Sequence, residues 1–176
     1  MAGSQRVTPS RELLVDLALL QVVWFAAVLG GDLGAMAAGA LLAATVLRRG
    51  HVERDLTVAA VTAATGLGLD TAWIWAGALD YHGAPVAPLW IVVLWACVGL
   101  SANHAFARWL GRPWLAGALA AAACPLSYLA GASFGAVRLP EPPLLVLVAA
   151  AWAVVFAALL GWVAPFFNRQ FEEVVR

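Results

Sequence analysis

The chain has 176 residues, 64% of them hydrophobic and 11% charged, with a net charge of zero and a mean hydropathy of +0.88. Soluble domains carry about 25% charged residues, so this composition excludes an ordinary soluble domain, and the balanced charge gives no electrostatic pull toward nucleic acid. It fits an all-α polytopic membrane bundle of six transmembrane helices, in which six spans of ~20 residues use about 120 positions and leave room for one domain over 1–176.

Helix one is predicted over 13–29, closing at Gly30-Gly31-Asp32. No small-residue cleavage site follows it, so it reads as a retained helix. Helix two, over 33–47, is rich in alanine and glycine. At 1.5 Å per residue its about 15 residues cover ~22 Å, short of a ~30 Å hydrocarbon core. Helices one and two are therefore either two spans or a short re-entrant hairpin. Helix three is predicted over 56–78, helix four over 87–110 and helix five over 114–137. Pro140-Glu141-Pro142-Pro143 then resets the chain before helix six, over 144–163, and a polar tail.

All ten basic residues are arginines. Arg6, Arg11, Arg48, Arg49, Arg54, Arg108, Arg112, Arg169 and Arg176 fall in the termini or in alternate connections, against Arg138 alone on the other side. Arginine-rich loops stay in the cytoplasm, so both termini are expected there, in a bacterial inner membrane. Trp90, Trp109 and Trp114 fall near helix ends, where indole favours the headgroup boundary. Trp24, Trp73, Trp75, Trp95 and Trp152 lie deeper, and each needs a partner for its N–H. Gly34, Ala38 and Gly39 in helix two, and Gly117, Ala121, Gly131 and Gly135 in helix five, allow close backbone approach. Helix five is thus a bundle centre or an oligomer seam. Cys97 and Cys124 both sit in apolar runs and read as small buried side chains.

Asp70 lies inside helix three. A mid-membrane carboxylate costs a few kcal/mol, so it faces the bundle and needs a partner. Counting equal rises from the cytoplasmic ends of helices three and five brings it level with Tyr128, one turn past the helix-kinking Pro125. An Asp70–Tyr128 contact is expected, with Trp73 beside a pocket for an acyl chain or an isoprenoid. Asn103 and His104 sit ~10 Å deep in helix four by the same arithmetic, level with Gln21, and the three are expected to cluster. Arg48, Arg49, Arg54, Arg108 and Arg112 would engage anionic headgroups or a partner, each worth about 1 kcal/mol near the surface. The absence of lysine rules out a retinal Schiff base, and no metal, phosphate-loop or nucleophile-elbow motif occurs. No cofactor is expected.

Five segments, LLQVVWFAAVLGG, TGLGLDTAWIWAG, APLWIVVLWA, LSANHAFARWL and CPLSYLAGASFGAV, together resemble a bacterial family of small membrane proteins, domain-of-unknown-function family 2878. The resemblance covers Gln21, Trp24, Asp70, Pro88, Trp90, Asn103, His104, Pro125, Tyr128, Gly131 and Gly135. Two positions depart from it: the family has glycine where Cys124 stands and asparagine where Asp16 stands. The resemblance implies a lipid-related accessory role, because members of that family often accompany genes for fatty-acyl modification and for light or oxidative stress responses. Three functional classes follow. One is a lipid-binding or scaffold protein, docking a lipid-modifying enzyme on its arginine face. Another is a small enzyme using Asp70 or His104 as acid or base on a lipid. The third is a transporter with a polar path between the His104 and Asp70 levels, which differ by ~12 Å.

Overall fold

The computed structural model describes residues 10–174, with side chains from 11 to 171. Arg6 and Arg176 lie outside the described residues. Six α-helices carry the described chain: α1 (Ser10–Leu47), α2 (Val52–Trp75), α3 (Leu89–Leu100), α4 (Pro113–Ser133), α5 (Leu145–Ala158) and α6 (Ala164–Val174). The described residues contain no strand beyond one isolated bridge between Asp80 and Arg138.

Predicted helices one and two form a single helical stretch, α1, interrupted at Gly31 (φ 56°, ψ −142°). That backbone conformation belongs to glycine, because a Cβ collides with the chain there. The two arms fold back on each other. Gly34 lies directly on the backbone of Ala26, where a methyl group would overlap it, and Arg49 at the far end of the second arm reaches Asp16 and Glu12 in the first. The tip of this hairpin bonds to the start of α3, Asp32 Oδ1 accepting from the Trp90 backbone N–H at 2.9 Å.

Helix four, predicted over 87–110, stops at Leu100 instead. The next twelve residues wind through tight turns and a 3₁₀ turn at Ala107–Trp109 before Pro113 opens α4 at the position where proline costs no hydrogen bond. At the break, the Ser101 N–H and Oγ both turn back to the Cys97 carbonyl, and its own carbonyl takes the N–H of His104 and of Phe106. Predicted helix six has the opposite fate. It runs on through five π-helical residues, Leu159–Val163, into α6, so the expected polar tail is helical as far as Val174. Pro165 brings no N–H to the turn before it. Leu160 accepts from the Gly111 N–H at 2.9 Å, tying this junction to the start of α4.

Three helical stretches are long and apolar enough to cross a bilayer: Arg11–Leu47, Pro113–Ser133 and Pro142–Phe171. Of the six transmembrane helices expected, three such stretches meet this measure. The two arms of α1 count as one stretch, α3 has only 12 residues, and α2 carries Glu53, Arg54, Asp55 and Asp70.

α3 packs against both α1 and α2, while α4 packs against α5 and α6 returns to α2. Polar contacts sort by end. Arg49–Asp16, Arg54–Asp55 and His104–Asp55 lie at one end, together with the start of α1, the 48–55 connection and the 101–112 turns. Asp80–Arg138, Asp32–Trp90 and His82–Gly135 lie at the other.

Candidate functional site

Asp70 faces the bundle from α2 and is completely buried. Each oxygen is satisfied. Tyr128 on α4 donates its hydroxyl to Oδ1 at 2.6 Å, and Tyr81, from the connection after α2, donates to the same oxygen at 3.1 Å. Trp95 on α3 donates its indole N–H to Oδ2 at 2.7 Å. Trp152 on α5 in turn donates to the Tyr128 hydroxyl at 3.2 Å, and its ring stacks on Trp95 with centroids 3.7 Å apart. A carboxylate removed from water needs this many donors, and four elements converge to supply them. Gly66, one turn before Asp70, lies under the Trp95 ring, where any side chain would overlap it. The Asp70–Tyr128 contact expected from equal helical rise is present.

In front of this network lies a cavity of about 540 Å³, a volume in the range of small-molecule sites. Its inner wall is Tyr81, Tyr128, Trp95 and Cys124, all buried; its sides come from the first arm of α1, from α3 and from α4. Gln21, Phe25, Leu126 and Phe134 line it and are themselves exposed, so the cavity opens sideways between the first arm of α1 and α4. Within it, Trp24 donates to Ser127 Oγ at 2.7 Å. Asp70 does not line the cavity; the two phenols and the indole stand between. Trp73 does not line it either, and its indole N–H is buried without a partner among the described residues.

The expected cluster of Gln21, Asn103 and His104 does not form. Gln21 belongs to the cavity, whereas Asn103 and His104 ride on the turns after Leu100 and reach the arginine-rich end. There both bond to Asp55, in the first turn of α2: Asn103 Nδ2 donates to Oδ1 at 2.9 Å and His104 Nε2 lies 2.9 Å from Oδ2. Arg54 completes the ring at 3.0 Å, and Asn168 of α6 donates to Asn103 Oδ1 at 2.9 Å. Burial alone would raise the Asp55 carboxyl; the hydrogen bonds from His104 and Arg54 and their charge outweigh it and hold it below the usual carboxylate range. Asp55 and Asp70 are fifteen residues apart on one helix, about 22 Å, so the two polar levels are further apart than the ~12 Å expected.

Of the five arginines assigned to a headgroup or partner face, two are used inside the chain. Arg49 is paired with Asp16 and Glu12, and Arg54 with Asp55. Arg48, Arg108 and Arg112 are exposed, with no ion pair among the described residues. Among the described residues no group of His, Cys, Asp and Glu is arranged to hold a metal ion.

Residues 13–158 match the model of the family described as protein of unknown function (DUF2878). The chain belongs to the DUF2878 family. Comparison with curated proteins and with solved structures gives no match. The matched region of this DUF2878 chain contains the whole Asp70 network and the whole cavity, and it ends before the π-helical turn and α6.

Three site residues carry no signal of their own in the sequence. Tyr81 sits in a connection between helices, where a phenol reads as an interfacial residue. Asp55 adjoins Arg54 and reads as the polar flank of a helix. Ser127 is one serine on a helix of small residues. Trp95 did carry a signal, since a deep indole requires an acceptor.

Proposed function

We propose that this DUF2878 protein is a non-catalytic, lipid-binding component of the bacterial inner membrane. It crosses the bilayer six times with both termini in the cytoplasm. The two arms of α1 make the first two crossings, since the hairpin tip at Asp32 bonds to the start of α3, at the end of the bundle opposite the arginines. α2, α3 with its following turns, α4, and α5 with α6 make the rest. The segregation of arginines to one end supports the orientation. Exposed Arg48, Arg108 and Arg112 form the surface for anionic headgroups or for a lipid-modifying enzyme.

One observation carries the reading. The apolar cavity of about 540 Å³ opens sideways, between helices, onto the surface that the bilayer would cover. A chain entering from lipid would need no aqueous route. An enzyme using Asp70 directly has less support, because that carboxylate is enclosed by its three donors. A transporter would need polar groups between Asp55 and Asp70. The buried face of α2 there holds Val58, Ala59, Thr62 and Gly66, and the Thr62 hydroxyl is spent on the Val58 carbonyl.

Native mass spectrometry of the purified protein, with lipid extraction, tests this. Wild type is expected to carry a stoichiometric lipid or isoprenoid, and Gly131→Leu, which fills the cavity, to lose it while unfolding at a similar temperature. A wild-type protein that is cleanly empty, or a Gly131→Leu variant that retains the ligand, overturns the proposal.

A further inference from the structure

We infer that the cavity selects an apolar chain ending in a hydroxyl group, a long-chain or isoprenoid alcohol, over the same chain ending in a carboxylate, a phosphate or an ammonium. This rests on the lipid-binding reading above and adds the chemistry of the head.

The basis is the direction in which the wall's hydrogen bonds already run. A phenol has one hydrogen to give. Tyr128 and Tyr81 both give theirs to Asp70 Oδ1, at 2.6 and 3.1 Å, away from the cavity they line. What they offer a ligand is lone pairs. Tyr128 has already accepted from Trp152 Nε1, whereas Tyr81 accepts from no described residue. The two phenols of the inner wall therefore take a hydrogen bond and give none. Ser127, further along the cavity on α4, has the complementary property. Its oxygen accepts from Trp24 Nε1 at 2.7 Å, and its hydroxyl hydrogen is donated to no described residue.

A hydroxyl head is donor and acceptor at once and suits both groups. A carboxylate or phosphate only accepts, so it would set its charge against phenol lone pairs with the Asp70 carboxylate directly behind them. No arginine lines the cavity to offset that charge; Arg138 is engaged with Asp80 at the end of the bundle. An ammonium head would donate well, but it would have to leave water for a carboxylate whose oxygens already hold three donors.

The probes are 1-hexadecanol and its carboxylic acid, monophosphate and amine analogues. Each competes against a brominated alkyl chain that quenches the tryptophans lining the cavity, with the protein in nanodiscs. The alcohol is expected to displace the quencher at concentrations lower by about tenfold than the other three, the scale of one or two well-placed hydrogen bonds. Tyr81→Phe is expected to reduce that preference to about threefold or less. Ser127→Ala leaves the Asp70 network whole and is expected to weaken the alcohol alone, so the test survives if Tyr81→Phe folds poorly. Equal competition by all four heads overturns the headgroup inference and leaves the lipid cavity standing, as does any preference for acid, phosphate or amine. Failure of all four to compete overturns both.

Discussion

Tyr81 and Tyr128 donate to the same oxygen of Asp70 but are not equivalent. Replacing Tyr81 by phenylalanine removes one hydrogen bond to a carboxylate, a loss of about 1.5–3 kcal/mol. Replacing Tyr128 removes a shorter bond to the same oxygen and also strands the Trp152 N–H, which adds a buried unpaired donor at about 1–3 kcal/mol. Thermal unfolding in detergent, followed by tryptophan fluorescence, is expected to rank wild type above Tyr81→Phe and Tyr81→Phe well above Tyr128→Phe. Equal midpoints for the two variants would mean that the Trp152 bond contributes nothing. This pair also marks how far the site was legible. Tyr128 could be found from Asp70 because both lie on long helices, and rise per residue is a ruler that works along a regular helix. The ruler fails for Tyr81, which sits in the connection after α2, and for His104, which follows the break at Leu100. Once the helix unwinds after Leu100, the first turns carry Asn103 and His104 to Asp55 instead of beside Gln21.

The hairpin of α1 depends on one backbone conformation. Gly31 has a positive φ with ψ near −142°, a region open essentially to glycine alone, where another residue costs about 1–3 kcal/mol. Gly30, its neighbour, has an ordinary φ, and a Cβ there would meet nothing within 4 Å. Gly31→Ala is therefore expected to destabilise the protein by more than about 1 kcal/mol, and Gly30→Ala to be neutral or stabilising by up to about 1 kcal/mol. Equilibrium unfolding in mixed micelles checks the difference, and parity between the two variants would show that the arms do not need this turn. The Gly30-Gly31-Asp32 triplet was readable as a helix end, and with it the choice between a pair of spans and a hairpin. What composition could not supply was the neighbour of the tip, which is the start of α3 through the Asp32–Trp90 bond. Helix boundaries failed where side chains compete with the ladder, at Ser101, and where a proline lies beyond a run that reads as finished, at Pro165. Both positions are polar or helix-breaking residues next to apolar stretches, so hydropathy ended the first helix too late and the second too early.

At the scale of the whole molecule, the internal contacts require the two ends of the bundle to differ in charge. The 48–55 connection, the 101–112 turns and α6 are joined through Asp55, Asn103 and Asn168. They must therefore emerge together, and the arginines at 48, 108 and 112 emerge with them. The 80–88 connection and the loop before α5 are held near one another by the Asp80–Arg138 bridge, and the hairpin tip joins them through Trp90. If the chain crosses a bilayer six times, a probe confined to one side must see one set and not the other. The free thiols Cys97 and Cys124 are buried, and replacing both with alanine leaves a background for single cysteines at exposed positions. In spheroplasts, an impermeant maleimide is expected to label Asp32→Cys, Val86→Cys and Glu141→Cys at once, and Glu53→Cys and Gln170→Cys only after permeabilisation. Protection of Asp32→Cys alone would make the α1 hairpin re-entrant and reduce the crossings to four. Labelling of Glu53→Cys and Glu141→Cys from the same side would put an even number of crossings between them, against the three that α2, α3 and α4 make in a six-span protein, and with it would fall the membrane-facing mouth of the cavity.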